Sequence, residues 1–455
     1  MNLPLPFCAD AVGAQVHSPA HASITLTSCG IDTRTLQPGA LFFALPGEGR
    51  RDGHEYVAAA FERGALAAVV THPVDHPGTQ LVVNDTLAAL QQLARAARER
   101  WGADASRRVI GITGSAGKTT TKEAIAALLA TSLRVGKTSG NFNNHIGVPL
   151  SILNMPDDAQ VAVLEIGMNH PGEIHHLAAI AQPHIGVVTN IGTAHIESFD
   201  SIDDIARAKH ELIEALPADG IAILNVDDER VRAFAETYPG RSILYGTREG
   251  ADVRATGVSW HADGCEFTLG DAGRLQCPLP ARGGLMTVLA ALATARAFGL
   301  DAAELKDAVA ALEPPKMRLQ RIERNGMLIW DDCYNSNPEA ACMMLDLLAV
   351  TPATRRIAVL GEMRELGTWA EELHREVGRH AVQCEVSVLV GIRGAARHLV
   401  DAARDAGLPA GVAYFFDEPQ AAGQFLKTLA RPGDSILFKG SRGTRVELAL
   451  EEFLR

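Results

Sequence analysis

Val109-Ile110-Gly111-Ile112-Thr113-Gly114-Ser115-Ala116-Gly117-Lys118-Thr119-Thr120-Thr121 decides how this chain is read. The β-branched run predicts a strand, the glycines a tight turn, and the Ala/Leu-rich residues 122–130 a helix. In that order they make a phosphate cradle. Backbone N–H groups over Gly114, Ser115, Ala116, Gly117 and Thr120 converge where a helix N-terminus adds partial positive charge. Lys118 then reaches a β- or γ-phosphate, and the Thr119 hydroxyl is placed to ligate Mg²⁺. The longer P-loop pattern wants a glycine where Ile112 stands, so the shorter Gly114-x-x-Gly117-Lys118-Thr119 carries the reading. An ordinary glycine turn before a helix is the plainer alternative, but strand and helix are the context a phosphate site demands.

At 455 residues the chain exceeds one hydrophobic core, and about two to four domains are expected. An apolar share of 47% with mean hydropathy near zero predicts a soluble globular protein. A net charge of −12 argues against a nucleic-acid partner and leaves room for a local basic pocket. Met1-Asn2-Leu3-Pro4-Leu5-Pro6 has neither the basic region nor the apolar core of a signal peptide. No apolar run approaches the ~18 residues of a membrane span. Seven scattered cysteines without a CxxC predict reduced thiols and a cytoplasmic location.

Three α/β units are expected, over 1–103, 104–314 and 315–455. In the first, small unit, strands are predicted at 40–45 and 67–70 with a helix at 56–63. Arg34, Arg50 and Arg51 lie near glycine turns and suit a phosphate or carboxylate, although each alone also reads as a solvated surface arginine. A linker is expected at 101–106. Beyond it, apolar strands at 161–166, 185–189 and 221–225 alternate with helices at 173–181 and 202–216. That alternation predicts a doubly wound, mainly parallel sheet with ligands at the strands' carboxyl ends. Short antiparallel strands over 251–279 and helices at 285–298 and 302–312 follow, and Pro314-Pro315 marks a boundary. The third unit, with strands at 357–360, 386–390, 412–416 and 435–438, reads as Rossmann-like.

The polar residues fall at strand ends. Glu165 closes Val161-Ala162-Val163-Leu164, where a P-loop protein holds Mg²⁺. His195 follows the next strand and reaches toward a second cation, or else is structural. Lys209 completes the apolar stripe 202, 205, 212, 213 and 216, so a lysine fills an inward slot where burial lowers its pKa. A neutral amine reacts with CO₂ to a carbamate, a long-armed carboxylate able to hold Mg²⁺; snorkelling at the helix edge is the alternative. Asn141, Asn143 and Asn144 precede Pro149 and read as a substrate loop or a helix cap. Asp331-Asp332-Cys333-Tyr334-Asn335-Ser336-Asn337-Pro338 carries more polar groups than a cap needs, although Asn337 alone suits an N-cap. Gly361-Glu362-Met363-Arg364-Glu365-Leu366-Gly367 and Lys439-Gly440-Ser441-Arg442 are further loops at strand ends.

In this order across three units, these motifs resemble the Mur ligase family of ATP-dependent amide-forming enzymes. The resemblance runs through Thr113–Glu123, Asn141–Pro149, Glu165–Ile174, Thr189–His195, Ala208-Lys209, Asp331–Pro338 and Val359–Gly367. It implies a ligase that uses ATP and Mg²⁺. The Asp-Asp-x-Tyr-Asn-x-Asn-Pro and Met-x-Glu-Leu-Gly forms point to the member joining UDP-N-acetylmuramoyl-tripeptide and D-alanyl-D-alanine, and a monomer is expected. By the same resemblance the first unit holds the UDP end, with Asp32-Thr33-Arg34 in its Asp-Ser-Arg place. Lys118 binds phosphates, Thr119 and Glu165 one Mg²⁺, and His195 with carbamylated Lys209 the second. Arg318 and Asp332 reach the nucleotide, Asp332 at the ribose; Asn335 and Asn337 line the closed site, and Lys439 and Ser441 face the dipeptide. One stretch departs. The family reads Gly-Arg-His-Asn and a later Asn, one Asn contacting adenine, where this chain has Ala281-Arg282-Gly283-Gly284-Leu285-Met286-Thr287. ATP is then held more weakly or its base is contacted from elsewhere. Rival readings are another Mur-type carboxylate–amine ligase, such as a folylpolyglutamate synthase, a P-loop NTPase with conformational output, and a binding protein that has lost catalysis.

Overall fold

The structure, a computed structural model, describes residues 1–17, 24–47, 52–261 and 263–455. Arg50 and Arg51 lie outside the described residues. The central sheet is built on the strand Arg108–Thr113, which pairs in parallel with Val161–Glu165 on one side and Ile185–Val188 on the other. From Arg108–Thr113 the chain crosses to the edge strand Val135–Lys137, returns to insert Val161–Glu165 between them, then passes to the other side and runs outward through Ile185–Val188, Ile221–Asn225, Arg241–Gly246 and Val253–His261. Such a reversal opens a crevice at the carboxyl ends of the strands, where the glycine turn sits. Val109, Ile110, Ile112 and Val161 to Leu164 are almost fully buried, as strands covered by helices on both faces must be. Antiparallel Gly264–Leu269 and Gly273–Cys277 extend the sheet at its far edge.

The third unit's sheet runs Gln320–Arg324, Met327–Asp332, Asp434–Lys439, Arg355–Gly361, Val388–Ile392, Ala413–Phe416, parallel after its first hairpin. A smaller sheet over Gln15–His17, Thr79–Val82, Ala67–Val70, Ala40–Phe43 and Ser28–Gly30 forms the first unit. Polar bonds fix that unit to the centre. Arg98 donates to the carbonyls of Ala181 and Gln182, both at 2.9 Å, and Asn154 exchanges two 2.9 Å bonds with the Cys29 backbone. Among the described residues no helix is long and apolar enough to cross a membrane.

Helix starts depart from the sequence reading. The helix after the glycine turn begins at Lys118 rather than 122, because Gly117, at φ 80°, is its N-cap and the threonines form its buried first turn. Residues 53–56 form a 3₁₀ turn ahead of the Val57–Glu62 helix, and the expected helix at 302–312 contracts to Lys306–Ala310. Helix Ala281–Ala297 starts four residues early and runs through Gly283 and Gly284. A Cβ at Gly284 would overlap the Leu279 carbonyl, its carbon only 2.6 Å away. Gly284→Ala is therefore expected to lower stability by about 1–3 kcal/mol in a denaturant titration. Gly283→Ala, which meets the flexible Met343 side chain, is expected to cost distinctly less.

Candidate active site

Where the central and third units face each other lies a cleft of about 1400 Å³. Residues Ser115 to Thr120 form one wall, and Arg318, Asp332, Asn335, Asn337, Lys439 and Ser441 line the opposite side. The turn is braced from below. Asn190 Oδ1 accepts from the Ala116 N–H at 2.8 Å, and the Thr189 hydroxyl donates to the Ala116 carbonyl at 2.7 Å. Gly114, at φ 145°, packs so closely on Thr189 that a side chain there would collide with its hydroxyl. Lys118 donates to the Gly114 carbonyl at 2.7 Å, folded back over the turn. Desolvation in the cleft lowers its pKa, against the pull of Glu165.

Glu165 is 1% exposed at the tip of its strand. Its two oxygens are shared: one accepts from the Thr119 hydroxyl at 2.8 Å, the other from the Asn143 amide at 2.8 Å. The carboxylate thus joins the helix start to the Asn141–Asn144 loop. Asn143 and Asn141 line the cleft, whereas Asn144 also caps the following helix, accepting from Gly147 N–H at 2.9 Å. Lys122, fully buried, ties the same loop by donating to the carbonyls of Thr138 and Gly140 at 2.8 and 2.5 Å.

Lys209 is 1% exposed, on the inward face of Ile202–Glu214 as the stripe predicts. Among the described residues its ammonium has no hydrogen-bonding or ion-pair partner, and the charge it feels is that of Lys118. Burial, then Lys118, hold its pKa well below 10.5. His195 lines the cleft in a left-handed turn, φ 66°, with Nδ1 2.5 Å from Glu365 Oε2. That contact keeps the Glu365 carboxyl below its ordinary range.

In the third unit, Asp332 accepts from the Leu319 N–H at 3.1 Å and meets Lys439 Nζ at 2.5 Å, so the ribose and dipeptide candidates neutralise each other here. Lys439, 2% exposed, also donates to the Asn335 carbonyl at 3.0 Å. Ser441 is a loop fastener, accepting from Arg364 N–H at 2.9 Å and donating to the Ser336 carbonyl at 3.2 Å. Arg318 stacks 4.2 Å over Tyr334, between Met317 and Leu319 at φ 60° and 52°. Non-glycine residues rarely adopt that conformation, and it aims Arg318 into the cleft. Asn337 caps Pro338–Val350, accepting from Ala340 N–H at 2.8 Å, and its amide reaches the Ser115 carbonyl at 3.4 Å. Arg34 stands apart. Its side chain is 85% exposed, its guanidinium forked onto Asp32, and it is not among the residues lining the cleft.

The sequence reading assigns no role to two cross-cleft carboxylates, Glu339, which it does not single out, and Glu365. Glu339 accepts from the Thr193 N–H at 2.7 Å and its hydroxyl at 3.2 Å, and Glu365 meets His195. Glu339 follows the Asp331–Pro338 motif and Glu365 lies inside the Gly361–Gly367 loop, yet a carboxylate's partner in another unit has no local sequence signal.

Comparison with known proteins covers this whole architecture. Three family descriptions match in order: "Mur ligase family, catalytic domain" over residues 25–101, "Mur ligase middle domain" over 112–295, and "Mur ligase, glutamate ligase domain" over 317–442. A Bacillus subtilis protein named UDP-N-acetylmuramoyl-tripeptide–D-alanyl-D-alanine ligase is 34% identical over 98% of this chain and 97% of its own. The Escherichia coli protein of that name is 35% identical over 95% and 94%. Among solved structures, MurF from Acinetobacter baumannii superposes with a TM-score of 0.89 at 30% identity, covering 100% of this chain and 99% of that one. MurF ligase from Thermotoga maritima in complex with ADP gives 0.80 at 30% identity, over 94% and 96%. Likeness of this extent, in sequence and in every unit of the fold, makes the chain a ligase belonging to the Mur ligase family.

Proposed function

We propose that this chain uses ATP to join D-alanyl-D-alanine to UDP-N-acetylmuramoyl-tripeptide, giving the pentapeptide precursor of peptidoglycan. The observation that carries the reading is the set Lys118, Thr119 and Glu165 gathered where the glycine turn meets the cleft, with Lys209 buried behind it, near enough to feel the Lys118 charge. Its relatives' names and the ADP-bound neighbour supply the substrates and the nucleotide.

The chemistry follows from charge. A carboxylate is a poor electrophile because oxide would have to leave. Its oxygen attacks the γ-phosphorus of ATP, the bond to ADP breaks, and an acyl phosphate results. The dipeptide amine then attacks the carbonyl, the C–O bond breaks, phosphate leaves and the amine proton passes to solvent. Lys118 and Arg318 offset repulsion between the anionic reactants. Turn N–H groups cradle the phosphates, and Asp332 turns from Lys439 to the ribose as the cleft fills. Asn141, Asn143, Asn144, Asn335, Asn337, Lys439 and Ser441 surround the peptide ends, and Arg34 takes the UDP end in the first unit. Acyl phosphates hydrolyse, so the three units, divided near 103 and 314, close before reaction; Glu339 and Glu365 are latches of the closed form.

The donor set fits magnesium. A threonine hydroxyl and a buried carboxylate 2.8 Å apart are hard oxygen ligands beside the phosphate turn, and a carbamate on Lys209, which has no partner among the described residues, would with His195 complete a second site. Bound there, Mg²⁺ neutralises phosphate charge. A cytoplasmic monomer completes the proposal.

Phosphate release in ATP and Mg²⁺ tests it, with each substrate alone and then both. Release only with both, and a pentapeptide product by mass, is expected. Release with neither would replace the ligase reading with a free-standing NTPase, and release only with a different amine would move the assignment within the family.

A further inference from the structure

Helices Pro338–Val350 and Ala370–Gln383 pack side by side in the third unit. Each offers donors spaced four residues apart, a spacing that puts them on one side: Cys342 and Asp346 on the first, and His380 in the last turn of the second with Cys384 as its C-cap. The donor atoms of Asp346, His380 and Cys384 all lie within 4.8 Å of one another. His380 Nε2 is 2.8 Å from Asp346 Oδ1, and Cys384 Sγ is 3.6 Å from the same oxygen. Donors about 2.0–2.3 Å from a tetrahedral ion are separated by roughly 3.3–3.8 Å, so a small opening of this triangle admits one. Cys342 is close enough to Cys384 for their thiolates to repel, and with Asp346 it lines the cleft, which gives an ion a way in.

We propose that Asp346, His380 and Cys384 bind one borderline-soft divalent transition ion, zinc foremost, with Cys342 as a fourth donor or water in its place. Thiolate, imidazole and carboxylate together favour Zn²⁺ over Mg²⁺, which demands oxygen ligands in an octahedron. The site is separate from the phosphate turn and does not depend on the ligase reading. Burial and the Asp346 carboxylate push the Cys384 thiol up to about 12, so metal uptake displaces its proton to solvent. An ion here clamps the helix that Asn337 caps and whose first turn carries Glu339, the residues that touch Ser115 and Thr193 across the cleft.

Cobalt alone is the probe. Metal-free full-length protein is titrated with Co²⁺ while the near-ultraviolet thiolate-to-cobalt charge-transfer band is followed. The expected result is a band that saturates at one equivalent, is erased by Zn²⁺ and is indifferent to excess Mg²⁺. Cobalt in the phosphate site gives no such band, because no thiol lines the Thr119–Glu165 pair. Cys384→Ser should abolish the band where water is the fourth ligand and cut it to about half where Cys342 is, with cobalt binding weakened in both cases. Asp346→Ala alters an exposed side chain and should fold normally, and it should weaken cobalt binding at least tenfold. Cys265→Ser, a buried thiol in another sheet, should leave the titration unchanged. Absence of the band in the parent protein, or an undiminished band in Cys384→Ser, overturns the site.

Discussion

Lys209→Ala is expected to reduce pentapeptide formation on the order of 10²–10³-fold while leaving the fold intact or more stable. The two effects have opposite signs for one physical reason. A buried lysine with no acceptor carries a desolvation cost in the folded state, and its pKa is held well below 10.5. The unfolded chain then binds more protons than the folded one between that lowered pKa and 10.5, so stability rises with pH across the window. Removing the amine removes the cost, and the variant's stability should lose this part of its pH dependence. A residue kept only for packing would show the reverse pattern: lower stability and near-normal turnover. The carbamate reading adds a further outcome. A short carboxylic acid, filling the space left by the side chain, should restore part of the rate in Lys209→Ala and none in the parent. Full activity in the variant would remove Lys209 from the chemistry.

The inward position of Lys209 was legible because helical periodicity needs only the local pattern, and Ile202–Glu214 keeps its apolar stripe in the fold. Glu165 was legible for a related reason: a doubly buried strand reads as an apolar run, so the first carboxylate after it marks the strand tip. Helix starts were harder. Three threonines argue against a helix by propensity, yet Thr119 to Thr121 are buried in its first turn, where tertiary contacts outweigh propensity. The helix expected from 285 begins at Ala281 and runs through Gly283 and Gly284, and at Gly284 only a glycine fits against Leu279. Pairings distant in sequence were not legible at all. Glu339 meets Thr193 across the cleft, and Lys439 meets Asp332 on the neighbouring strand of the third unit, over sequence separations of 146 and 107 residues that no local motif encodes. The Lys439–Asp332 pair shows what this costs a motif reading: two side chains assigned to different ligands hold each other in the structure.

Glu165→Gln is expected to lower the rate on the order of 10³-fold and to change the Mg²⁺ dependence of what remains. The substitution keeps volume and deletes charge, which is what separates the two roles open to this residue. As a brace, Glu165 needs only acceptors for the Thr119 hydroxyl and the Asn143 amide. Glutamine keeps its oxygen for the Asn143 amide and turns its NH₂ to the Thr119 hydroxyl, which also accepts, so on that account it should cost about 1 kcal/mol of stability with modest loss of turnover. As a cation ligand beside the phosphate turn, it must supply negative charge, and the neutral amide fails however well it fits. Glu165→Asp sharpens the comparison, because it keeps the charge and withdraws it by one methylene. Under the ligand role aspartate should outperform glutamine at saturating Mg²⁺; under the brace role glutamine should outperform aspartate at every Mg²⁺ concentration. The order of the two variants, read by phosphate release with both substrates present, therefore decides whether the carboxylate at the end of Val161–Glu165 serves the fold or the reaction.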